Sequence, residues 1–222
     1  MMKLANASLA LSTATFGLML GVAQNAQAAY VVPGVTVSSL TGATTNTSGG
    51  YKLQDMVNGK GLPGGIPSLT GNHANTASGN SWRSVLNPKY PVRITFNLNG
   101  IRGLAGLSFW NSTGNQSNSG VKNVTFQYST DGTNFFALNP ISFKGVAGAW
   151  TGAFDQGGAA AQLVDFKEVK ATHVRFNITS NYGTSGNRLA LNEVQFKAIP
   201  EPSASLALLA LGLAGVGLRK RI

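Results

Sequence analysis

The chain has 222 residues, a formal net charge of +10, 43% hydrophobic residues and no cysteine. The missing thiols exclude disulfide stapling, thiol catalysis and zinc sites built on cysteine, so the fold must be held by its core or by a metal. With 28 glycines and abundant Asn, Ser and Thr beside that apolar fraction, the composition indicates a turn-rich β chain rather than disorder.

Lys3 is the sole charge among the first fifty residues. An apolar run from Leu9 to Val22 follows, and then Ala26-Gln27-Ala28. A positive start, an apolar stretch and small residues two apart predict a secretory signal peptide over 1–28, helical in its apolar part and cleaved after Ala28. The run is too short to span a bilayer comfortably and contains Ser12, Thr13 and Thr15.

Residues 29–199 are enough for one domain with a real core. They carry thirteen Lys and Arg against six Asp and Glu, a net charge of +7. That charge suits an anionic partner such as acidic polysaccharide, but the cations are scattered, and general solubilisation explains them equally well. No run of three cations occurs inside the domain, and no nucleic-acid partner is expected.

Several segments alternate strictly. Val92, Ile94, Phe96 and Leu98 oppose Arg93, Thr95 and Asn97. Val124, Phe126 and Tyr128 oppose Thr125 and Gln127, and Val174, Phe176 and Ile178 oppose His173, Arg175, Asn177 and Thr179. Near the end, Val194, Phe196 and Ala198 oppose Glu193, Gln195 and Lys197. Period-two patterning with β-branched and aromatic residues predicts half-buried strands. Asp131-Gly132 predicts a hairpin, and Asn99-Gly100 a turn between two strands. No amphipathic helix of three turns is visible, so the fold class is all-β, a sandwich or barrel.

The tail reads Pro200-Glu201-Pro202, an apolar stretch of 16 residues from Ser203 to Leu218, and Arg219-Lys220-Arg221-Ile222. As a helix that stretch measures roughly 24 Å, a minimal span for a hydrocarbon core of about 30 Å. Its terminal cations would stay on the cytoplasmic side. Motif, apolar helix and basic end, in that order, resemble the PEP-CTERM sorting signal over 200–222. The resemblance implies a protein exported by a Gram-negative bacterium and processed by signal peptidase and by an exosortase near Pro200-Glu201-Pro202. It also implies a precursor tethered transiently in the inner membrane, destined for the cell surface or extracellular matrix.

The loop Val57-Asn58-Gly59-Lys60-Gly61-Leu62, then Ser81-Trp82, ITFNL, LSFWN, GVKNVTFQYSTDG, ATHVRFNITSNYG and LNEVQF, resemble in order the discoidin-like, coagulation-factor type C domain of the galactose-binding-like superfamily. The resemblance implies a jelly-roll β-sandwich of about eight strands over 29–199, with end loops that bind carbohydrate, lipid head groups or protein. It implies a core role for Trp82. It also implies a structural Ca2+ between the early loop and the last strand, held by Asn58 and Glu193 with carbonyls near Leu53, Lys60 and Gly61. Asn58 stands where many relatives carry Asp, which lowers the negative charge of such a site. The plainer reading makes Asn58-Gly59 a tight turn and Glu193 a surface strand residue.

Catalysis is not expected. A triad needs a histidine base with an acid in reach, and only His73 and His173 exist: His173 falls on the outward face of a strand, and His73 sits in a Gly/Asn-rich loop with no carboxylate nearby in sequence. Asp131 is accounted for by its turn, and Asp165 and Glu168 precede a strand. For ligand contact the candidates are His73, Trp110, Asn111, Trp150, Tyr182 and Arg188, because sugars stack on rings and hydrogen-bond to planar polar groups. A non-catalytic carbohydrate-binding module is therefore expected. A structural matrix or adhesion protein without a small-ligand site remains the alternative, and a hydrolase accessory a third.

Overall fold

The computed structural model describes residues 28–184 and 187–200. The signal segment with Ala26, and the tail with Glu201 and Pro202, lie outside the described residues; Ala28 and Pro200 stand at their edges. Among the described residues no helix is long and apolar enough to cross a membrane.

The described residues form ten strands: β1 (Tyr30–Val31), β2 (Thr36–Thr41), β3 (Trp82–Arg83), β4 (Val92–Asn111), β5 (Val124–Ser129), β6 (Phe136–Leu138), β7 (Pro140–Phe143), β8 (Val146–Ala147), β9 (Gln162–Ile178) and β10 (Ala190–Ile199). All their pairings are antiparallel. β1, β3 and β8 are two-residue pairings, and the seven longer strands match the expected sandwich of about eight. Asp165 and Glu168 lie within β9, not before it.

β4 and β9 run through both layers of a sandwich. Their outer halves, Val92–Asn97 and His173–Ile178, pair with each other and are flanked by β2 and β5. Their other halves, near Arg102–Phe109 and Gln162–Ala171, pair with each other and are flanked by β10 and β7. The switch falls where the register shifts between Asn97 and Arg102. Asn99-Gly100 therefore makes a corner inside one long strand and not the expected turn between two. Asn99 and Gly100 have φ of 54° and 111°, Asn97 Oδ1 accepts from the Asn99 N–H at 2.8 Å, and Arg102 Nη2 donates to the Asn99 carbonyl at 2.6 Å. Positive φ at two successive positions turns the chain, and the bonds from Asn97 and Arg102 hold it there.

The alternating residues meet between the layers. Phe96 packs edge-on against Phe176 at 5.0 Å and against Phe196 of β10 at 5.3 Å, and Phe126 of β5 meets Phe166 at 5.6 Å. Trp82 is fully buried, as expected, and its indole N–H donates to Thr45 Oγ1 at 2.9 Å. The Asp131-Gly132 hairpin forms between β5 and β6. The Asp131 carboxylate is held well below its ordinary range by the backbone N–H groups of Asn134 and Thr133 and by the Asn134 and Ser129 side chains. β10 departs from its pattern: Glu193 and Gln195, expected to face solvent, are buried because the 3-10 turn Leu53–Met56 and the loop after it lie over that face.

Phe96→Ala should cost about 3–5 kcal/mol, because three rings lose their shared contact and a cavity remains. Thermal melting followed by circular dichroism measures it, with a loss of about 2–4 °C per kcal/mol expected for a domain of this size.

Candidate functional site

The C-terminal end of β4 organises one end of the sandwich. Trp110 is fully buried and donates its indole N–H to the Gly71 carbonyl at 2.9 Å. Asn111 is fully buried too. Its Nδ2 donates to the Val121 and Asp155 carbonyls at 2.8 and 2.7 Å, and its Oδ1 accepts from the Ser112 and Val121 N–H groups, both at 2.9 Å. Every polar position of this amide is spent on the loops around it. Trp110 and Asn111, expected to touch ligand, are the foundation under the loops and present no surface.

Four loops close over that foundation. The His73 N–H donates to the Ala159 carbonyl at 2.8 Å, Asn72 bridges Ala160, and the Tyr182 N–H donates to the Gly120 carbonyl at 3.0 Å. Tyr182 is half-buried; its hydroxyl donates to the Phe154 carbonyl at 2.5 Å and Lys122 Nζ lies 5.6 Å from its ring centre. Arg188 is half-buried and donates to the Ser84 carbonyl at 3.1 Å. Trp150 is half-buried against Phe126, Phe143 and Phe154 at 5.2–5.4 Å, as a flank of the core. Of the six candidates, Tyr182, Arg188 and Trp150 keep surface.

His73 belongs to a different group. It is buried, its Nδ1 faces the Ala74 carbonyl at 2.6 Å, and its Nε2 stands 4.0 Å from Glu193 Oε2 without a hydrogen-bond partner. Burial lowers its pKa. The ring lies so close over Gly61 that a Cβ there would collide with it. Glu193, fully buried, accepts from the Gly59 N–H at 3.1 Å and from Gln195 Nε2 at 2.6 Å. Burial pushes its pKa up to about 8, the bonds from Gly59 and Gln195 oppose this, and the nearby Asp55 charge adds to it. Asp55 is also buried; its Oδ1 accepts from Asn58 Nδ2 at 3.0 Å and its Oδ2 has no partner. Asn58 Oδ1 accepts from the Lys60 N–H at 2.9 Å.

These donors fit a hard cation. Two buried carboxyls stand close enough to repel, and an orphaned carboxylate oxygen costs free energy unless a proton or cation satisfies it. Among the described residues no three His, Asp or Glu side chains group as a metal site by themselves, so backbone carbonyls would have to complete a calcium shell. Asp55 was not singled out from the sequence. The available signal was its position three residues before Asn58, one turn away in the same loop.

The F5/8 type C domain model matches residues 41–193, and the PEP-CTERM protein-sorting motif model matches residues 198–221. The chain belongs to the F5/8 type C domain family. The sorting motif marks an exported protein processed by an exosortase and directed to the cell surface. No curated protein matches the chain. Among solved structures it is similar to CpGH89CBM32-5 of Clostridium perfringens, solved in complex with GalNAc-β-1,3-galactose. That pair shares 18% identity and a TM-score of 0.54, over 75% of this chain and 99% of that one. It is also similar to CBM32-3 of a family 31 glycoside hydrolase from Clostridium perfringens, at 17% identity and a TM-score of 0.51, over 77% and 94%. These likenesses establish the fold.

Asn111→Ala should lower stability by about 1–3 kcal/mol, because it strands N–H and C=O groups of two loops. Thermal unfolding measures the loss, and an unchanged melting temperature would contradict the foundation role.

Proposed function

We propose that this is a non-catalytic carbohydrate-binding module displayed at the cell surface. The observation supporting it is the loop end of an F5/8 type C sandwich, where a fully hydrogen-bonded base supports the half-exposed Tyr182 and Arg188. A ring beside planar donors suits a sugar, whose apolar face stacks while its hydroxyls bond in the plane. Two relatives in fold are carbohydrate-binding modules, and one was solved with GalNAc-β-1,3-galactose. A shallow site buries little area, so a mono- or disaccharide should bind with a dissociation constant on the order of 0.1–1 mM. Titration by NMR against galactose, GalNAc and GalNAc-β-1,3-galactose measures this. Tyr182→Ala should weaken binding about tenfold or more while the fold is kept. Failure of every glycan on an array would favour a structural matrix protein instead.

Calcium belongs to the same proposal as a stabiliser, held by Asp55, Asn58 and Glu193 with loop carbonyls. When bound it would supply the positive charge that lets Glu193 ionise while buried. A raised carboxyl pKa contributes stability that is present below the ordinary glutamate value and lost as pH rises through the folded one. The melting temperature of chelated protein should therefore fall between about pH 5 and pH 9. Added calcium should restore it at the upper end, because it binds only the folded state. Glu193→Gln should remove both effects. A melting temperature indifferent to chelator at pH 8 would leave the Asp55–Glu193 pair as a proton-sharing network.

A further inference from the structure

The outward face of β2, β4, β9 and β5 carries a second surface, remote along β4 from the loops at Asn111. The pairing register aligns it in two rows across the strands. One row is Thr41, Arg93, Asn177 and Thr125; the other is Ser39, Thr95, Arg175 and Gln127. With neighbouring strands about 4.8 Å apart, each row measures on the order of 14 Å. Together the rows line an open groove of about 620 Å³.

Its chemistry is one-sided. Among the described residues no Asp or Glu lines the groove, and apart from Pro91 its lining side chains are hydroxyls, amides and two guanidinium groups. Thr95 forms a buried floor. Arg175 is fixed in place: its Nε donates to Thr95 Oγ1 at 3.3 Å and its guanidinium lies 3.4 Å over the Phe135 ring. Arg93, exposed on the next strand, is near enough that its charge, added to burial, lowers the Arg175 pKa. Asn177 is turned to Gln127 at 3.0 Å. Two like charges on adjacent strands repel, and nothing in the groove neutralises them. An anion laid between them would.

We infer that this groove binds a stretch of acidic polysaccharide, its carboxylate or sulfate groups taken by Arg93 and Arg175 and its hydroxyls by the surrounding threonines and amides. The inference rests on the carbohydrate-binding reading above and adds a second site of different specificity. A guanidinium held flat on a ring presents its fork at a fixed angle, the geometry that pairs with carboxylate or sulfate through two bonds. The groove's openness suits a chain passing across the strands. Nucleic acid is the weaker occupant, because base binding without sequence readout relies on exposed aromatic rings. Among the described residues no aromatic side chain lines the groove, and the Phe135 ring beside it is covered by Arg175.

The test uses the full chain and four probes: polygalacturonate, dextran sulfate, neutral dextran and a single-stranded oligothymidylate, each at two salt concentrations. Polygalacturonate or dextran sulfate should bind, their relative affinity telling carboxylate from sulfate preference, and added salt should weaken binding. Neutral dextran and oligothymidylate should bind at least tenfold more weakly. Arg93→Gln and Arg175→Gln should each cost about tenfold, and the double variant more. Arg93 is exposed, so its variant remains informative if Arg175→Gln melts early. Neutral-sugar binding at the loop end should be unaffected by either arginine variant and should respond to Tyr182→Ala alone. Acidic-polymer binding that survives both arginine changes, or oligothymidylate binding equal to that of the polysaccharides, would overturn the inference. If neutral sugars fail while polygalacturonate binding depends on the arginines, the loop-end reading falls and the groove stands.

Discussion

β4 and β9 lie side by side through both layers, and the bend they share near Asn97 to Arg102 is the constraint on which the molecule depends. Closing an antiparallel sheet over itself leaves no room for a helix, so the longest strands must turn the corner themselves. The positive φ at Asn99 and Gly100 makes that possible, and Arg102 satisfies the Leu98 and Asn99 carbonyls at the bend. Once the corner is placed, alternation does the rest. Phe96 and Phe176 turn inward on one side of it and Phe109 on the other, and the rings meet in one core. The same alternation sets Arg93 and Arg175 outward, and β4 runs on to deliver Trp110 and Asn111 beneath the loops.

Burial of polar side chains is the second organising feature, and it separates two kinds of polar residue. Asn111 is neutral and has all its partners, so it ties loops together at little cost. Asp55 and Glu193 are acids sharing a buried place, with one carboxylate oxygen unpartnered and His73 close by. A proton on Glu193 relieves the repulsion, as its raised pKa expresses. A bound cation would relieve it too, with both acids ionised. The loop from Asp55 to Leu62 is fastened to β10 through these groups, by the Gly59 N–H on Glu193 and by Gln195 Nε2 on the Val57 carbonyl at 3.2 Å.

The first half of β4, β5 and the second half of β9 were legible because their apolar residues recur with a period of two. The Asp131 hairpin was legible for a local reason, a carboxylate with its own turn, and the core role of Trp82 came from the family resemblance. The rest depended on what lay across from each residue. Asn99-Gly100 has the sequence of a tight turn, and only the partner strand's own bend makes it a corner. Glu193 and Gln195 fit the solvent side of an alternating strand until a loop 130 residues earlier covers them. Trp110, Asn111 and His73 were read as surface because they sit beside Gly, Ser and Asn. Those polar loops fold back and bury them.

Arg93 and Arg175 were visible as the outward members of their strands, but the sequence does not say that the two strands are neighbours. The register supplies that, and with it an oddity the fold does not need. The outer positions of a strand tolerate many residues, since core packing is decided on the other side. A fold chosen for stability alone has every freedom to set an acid opposite a base there, a cross-strand pair contributing a few tenths of a kcal/mol or more. This face instead holds two guanidinium groups, one locked over an aromatic ring, amid hydroxyls and amides. Local preferences that run against stability, without compensation inside the molecule, are where a ligand should be sought. The compensation available to this face is a polyanion from outside.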